Sequence, residues 1–169
     1  KLVIDQDKDG LEDIIIANGG DPSALPGDPN RPAGYILILS SKTGKIIAQA
    51  KVPDNRETYS NLIVADIDND KNTDIIFGTG GETLSGALWR TTVNDVMKGD
   101  ITNAIALARG KARGYVPPPV LADINRDSTL DIIAMNDEGL LSVINGENNQ
   151  LIWEKHFEDS NPWCDKCMK

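Results

Sequence analysis

Four carboxylates crowd into one nine-residue stretch, Asp66-Ile-Asp68-Asn-Asp70-Lys-Asn72-Thr-Asp74, at positions one, three, five and nine. Ionised and held in one turn, they repel one another at short range. A chain that places them there needs a cation, and an all-oxygen donor set at this spacing suits calcium. The stretch recurs. Asp5, Asp7, Asp9 and Asp13 fill the same places in residues 5–13, and Asp123, Asn125, Asp127 and Asp131 fill them in residues 123–131. The backbone carbonyls of Leu11, Asn72 and Thr129, each at position seven, complete three expected ligand sets. The first aspartates lie about 60 residues apart, and a period of that length with strands on both sides points to propeller blades.

An EF-hand shares the first five positions but needs a bidentate Glu at position twelve and flanking helices. Position twelve here is Ile16, Phe77 and Ala134. The residues that follow each loop, such as Ile14-Ile15-Ile16 and Ile75-Ile76-Phe77, are β-branched or aromatic and fit strands. Position nine must therefore close each loop, and the chain must leave it as a strand.

The pattern D-x-D-x-D-G-x-x-D-I-I resembles the FG-GAP or VCBS repeat of integrin-α-like β-propellers, over nearly the whole chain except its last ten or so residues. Ala65-Asp66-Ile67 and Ala122-Asp123-Ile124 match each other, and Asp-Ile-Ile closes all three loops. The resemblance implies that each loop joins the first two strands of a blade and holds calcium. The copies are unequal. Position six wants a left-handed backbone, which only Gly10 supplies without strain. Lys71 and Ser128 would cost about 1–2 kcal/mol there, or their loops take another shape. With Asn125 in place of a carboxylate and Arg126 beside it, the third site is the weakest.

Strands must position these loops. Each repeat reads as strand, loop, strand, long turn, strand, hairpin, strand. The expected strands are 1–4, 14–17, 35–39 and 46–52; 62–65, 74–77, 87–93 and 101–107; and 120–122, 131–135, 140–144 and 151–157. One helical turn is expected within Asn94 to Asp100, a hairpin at Asn145-Gly146, and a candidate functional insertion in the Pro/Gly-rich loop from Gly19 to Gly34. The fold class is all-β: a β-propeller of about three four-stranded blades, covering about 1–53, 60–108 and 116–158, with 159–169 a tail or the start of another blade. Propellers have 4–8 blades, so three do not close. The chain is expected to be part of a larger, seven- or eight-bladed propeller and to need further blades as partners.

Net charge is −9, which argues against nucleic acid or an anionic membrane surface as a partner. Eleven aspartates at ligand positions carry much of it, and three Ca²⁺ would offset six charges. No apolar run approaches a membrane span. Calcium sites of this kind work where calcium is plentiful, so the expected location is extracellular, at the cell surface or periplasmic.

Other features have plainer readings. Gly78-Thr-Gly80-Gly81 lacks the Lys-Ser/Thr of a phosphate loop and reads as a turn. Lys42 to Ile46 and Gly146 to Trp153 resemble the outer hairpins of quinoprotein-like propellers, an architectural likeness with no quinone cofactor implied. Trp89 and Trp153 lie on strand patterns and suit packing between blades, whereas Trp163 suits a surface role. Cys164 and Cys167 suit a short disulfide in an oxidising compartment, or bonding elsewhere. His156 reads as an exposed outer-strand residue.

The functional expectation, by analogy with integrin-like adhesion modules, is a rigid scaffold whose face loops bind a protein or glycan ligand. The alternative is a polysaccharide lyase or glycoside hydrolase propeller, or a domain attached to one. A lyase needs a base near a calcium-bound uronate, and Arg126 and Tyr115 are the only suggestive positions.

Overall fold

The computed structural model describes residues 2–20, 25, 28, 30–59 and 62–157. Trp163, Cys164 and Cys167 lie outside them. Among the described residues, twelve strands form three four-stranded antiparallel sheets, with strands adjacent in sequence paired throughout. The first sheet holds β1 (Leu2–Val3), β2 (Asp13–Asn18), β3 (Tyr35–Leu39) and β4 (Ile46–Lys51). The second holds β5 (Ile63–Ala65), β6 (Asp74–Gly78), β7 (Ala87–Thr92) and β8 (Ile105–Arg109). The third holds β9 (Val120–Ala122), β10 (Asp131–Met135), β11 (Leu140–Ile144) and β12 (Leu151–His156).

The middle sheet is covered on both faces, and its sequence explains why. Ile75, Ile76 and Phe77 are all fully buried, so β6 is a continuous apolar run rather than an alternating one. Side chains alternate across a strand. Ile75 and Phe77 join Ile15, Ile36 and Ile38 of the first sheet in one core, while Ile76 and Leu88 join Ile132, Ala134 and Ile144 of the third in another. Each buried Ile, Leu or Phe among them contributes about 1.5–3 kcal/mol by leaving water. β12 presents all its residues to the surface. Trp153 is therefore 43% exposed, and the expected packing role falls to Trp89 alone, at 6%. His156 is exposed as well.

The expected helical turn is α1 (Val93–Lys98), which buries Val93 and Val96. Thr92 caps its start by accepting from the Asp95 N–H, and Gly99, at φ 76°, ends it. The strand expected from Ile101 begins instead at Ile105. Ile101 is 2% exposed and packs in the core with α1, and a turn closed by the Ala104 N–H on the Ile101 carbonyl carries the chain onward. Hydrophobicity at Ile101 reports burial, not extension.

Two hairpins share one design. Ser40 N–H bonds Lys45 O at 2.9 Å in the first sheet, and Asn145 N–H bonds Gln150 O at 2.8 Å in the third. A left-handed residue finishes each turn, Gly44 at φ 70° and Asn149 at φ 63°. The segment at Gly78–Gly81 is a turn, fixed by Gly80 at φ 76°. Among the described residues of the 19–34 loop, Arg31 is the anchor: its Nη2 lies 2.9 Å from Glu57 Oε1, with side chains 10% and 2% exposed. No helix among the described residues is long and apolar enough to cross a membrane.

Candidate metal centre

Each acidic loop enters from the first strand of a sheet and leaves into the second. The loop folds around its own side chains by one repeated set of hydrogen bonds. Asp5 accepts from Gly10 N–H at 2.8 Å, Asp66 from Lys71 N–H at 3.0 Å and Asp123 from Ser128 N–H at 3.1 Å. The position-five carboxylates of Asp9, Asp70 and Asp127 accept from the N–H groups of Leu11, Asn72 and Thr129. The closing carboxylates of Asp13, Asp74 and Asp131 accept from the N–H of position two, on Gln6, Ile67 and Ile124. All three loops have one shape.

That shape needs two left-handed residues per loop. Position six lies at φ 94° in Gly10, 71° in Lys71 and 72° in Ser128, so the latter two accept the strain instead of reshaping the loop. Position four is left-handed too, in Lys8, Asn69 and Arg126 at φ 60–63°. The backbone amides turned inward hold Asp5 and Asp127 below the usual carboxylate range, chiefly through the N–H groups of Gly10 and Thr129. The Asn72 side-chain amide does the same to Asp70.

In the first loop, carboxylate oxygens of Asp5, Asp7 and Asp13 converge to within 4.8 Å of one another, and those of Asp66, Asp68 and Asp74 do so in the second. Both clusters could hold a metal ion. Asp9 and Asp70 stand beside these trios without joining them. In the third loop Asn125 turns its amide onto Asp127 Oδ2 at 2.7 Å, and Asn145 adds a second donor at 2.9 Å. No carboxylate trio gathers there among the described residues.

The closing carboxylates separate the loops further. Asp13 and Asp131 are completely buried, and Oδ1 of each has no hydrogen-bond partner. A buried carboxylate oxygen left bare is costly, and a bound cation relieves it. The first loop, with a converged trio and a bare buried oxygen, could hold a metal ion. Asp74 differs because both its oxygens are taken. Arg90 of β7 donates from Nε to Oδ1 and from Nη2 to Oδ2, each at 2.9 Å, and from Nη2 to Asp68 Oδ2 at 2.6 Å. Its Nη1 reaches Gly146 O at 2.7 Å and Asn149 Oδ1 at 2.9 Å in the hairpin turn between β11 and β12 of the third sheet. Arg90 is 5% exposed. Burial works against its charge, but the hydrogen bond and charge of Asp74, with those of Asp68, outweigh it and raise its pKa.

Arg90 escapes a reading of the loops alone. Its signal lies in the repeat register. The residue paired with the second position after the closing aspartate is Ile38 opposite Ile15, Val143 opposite Ile133, and Arg90 opposite Ile76. One charge replaces two aliphatics at a buried place.

The two suggested catalytic bases stand apart. Tyr115 is 1% exposed in the second core, and burial pushes its hydroxyl further above the ordinary value. Arg126 is an exposed left-handed residue of the third loop. No family model and no curated protein matches the chain.

Proposed function

We propose that this chain forms three consecutive blades of an FG-GAP or VCBS-like, calcium-stabilised β-propeller of seven or eight blades. Each four-stranded meander is one blade, and the two cores between successive sheets are the packing expected of neighbouring blades. The observation that carries the calcium reading is the bare, buried Oδ1 of Asp13 beside the converged oxygens of Asp5, Asp7 and Asp13. The third loop, with three aspartates and Asn125, is a weaker site of the same kind. All protein ligands come from one tight turn, so the ion ties strands together rather than presenting an open coordination position to a substrate.

The role that follows is a rigid scaffold outside the cytoplasm whose face loops bind a protein or glycan. Against the lyase or hydrolase alternative stands the burial of Tyr115 inside a core. The test is an array of glycans and extracellular-matrix proteins probed with the protein in calcium and in chelator, with product analysis of each retained glycan. Calcium-supported retention without cleavage is expected. Calcium-dependent cleavage would replace the scaffold by an enzyme.

A further inference from the structure

We infer that Arg90 is the resident cation of the second loop, standing where the first loop takes calcium, and that it serves as a clasp between the second and third sheets. The inference rests on the calcium reading for the first loop only as its comparison. Asp74 and Asp13 close their loops at the same position, and both accept from the position-two N–H. Asp13 keeps a bare buried oxygen, whereas Asp74 is held in a two-point fork by a guanidinium that is itself buried. A planar fork matched to a carboxylate, with a permanent charge, does the neutralising work of an ion there. A divalent ion entering the trio of Asp66, Asp68 and Asp74 would meet that charge at the oxygens it needs. Displacing Arg90 would also strip the bonds to Gly146 O and Asn149 Oδ1, which lie in the turn joining β11 and β12 of another sheet. A spherical ion in this loop would not make those contacts. The second loop is thus set against metal, and its link to the third sheet is independent of calcium.

The direct test is amide hydrogen exchange on the unmodified full chain, in calcium and after chelation. Chelation is expected to speed exchange at the first-loop amides of Gln6, Gly10 and Leu11 at least tenfold, and to leave Ile67, Lys71 and Asn72 unchanged. Equal acceleration in both loops overturns the inference. If neither loop responds, the calcium reading of the first loop fails, and Arg90→Ile decides the matter. That variant is expected to bind one more calcium per chain than wild type, with calcium-dependent protection appearing at Ile67 and Lys71. An Arg90→Ile protein that gains no ion, or cannot be recovered folded in millimolar calcium, overturns the inference.

Discussion

The first and second acidic loops have the same carboxylate spacing, matching amide hydrogen bonds to the carboxylates at positions one, five and nine, and the same two left-handed positions, yet they balance their charge differently. The first leaves Asp13 Oδ1 buried and bare, and the second gives both Asp74 oxygens to Arg90. A local motif determines loop shape. What fills the loop is decided by a residue on the neighbouring strand, 16 positions after Asp74 in the chain. Copies of one repeat can therefore share a conformation without sharing a ligand.

The contrast breaks most visibly at Arg90. In chelator, Arg90→Leu should cost about 3–5 kcal/mol, because it leaves Asp74 buried and unpaired. Denaturant unfolding of both proteins measures this. A loss below about 1 kcal/mol would show that Asp74 escapes to water. The matching change in the first loop is expected to act through its proposed calcium. Asp13→Asn should remove about 2–3 kcal/mol of calcium-linked stability, the linkage expected when free calcium is near one hundred times the Kd. Its unfolding in calcium should then approach that of wild type in chelator.

The clasp can be sharpened from its far end. A Cβ on Gly146 would stand 1.9 Å from Leu130 O and 2.6 Å from Ile67 Cγ2. Gly146→Ala should push the hairpin off Arg90 and cost about 1–3 kcal/mol by overpacking, with no change in calcium dependence. The smallest effect concerns loop shape alone. Lys71→Gly should stabilise by about 0.5–1 kcal/mol by relieving the left-handed strain, since the loss of chain entropy offsets part of the gain. An unchanged denaturation midpoint would show that Lys71 pays no such penalty.

Much of this was legible in the residues. Asp-Ile-Ile marks where each second strand begins, and the spacing of aspartates marks each loop. Position-six strain was also visible, because it turns on the absence of a Cβ in Gly10. Position four was not, since Lys8, Asn69 and Arg126 share no chemical feature that announces a positive φ. Arg90 was hidden for a different reason. Ala-Leu-Trp-Arg-Thr-Thr reads locally as a strand, and the acceptors that make its charge tolerable include Asn149, 59 residues away. Ile101 misled because periodicity cannot distinguish a buried strand end from a residue buried beneath a short helix.

If calcium in the first loop stabilises the first sheet, paired thermal melts will show it. Wild type and Asp13→Asn should be heated in millimolar calcium and in excess chelator. A chelator-induced fall in Tm of several degrees is expected for wild type, and a distinctly smaller fall for Asp13→Asn. Wild-type melts that superimpose with and without calcium would contradict it.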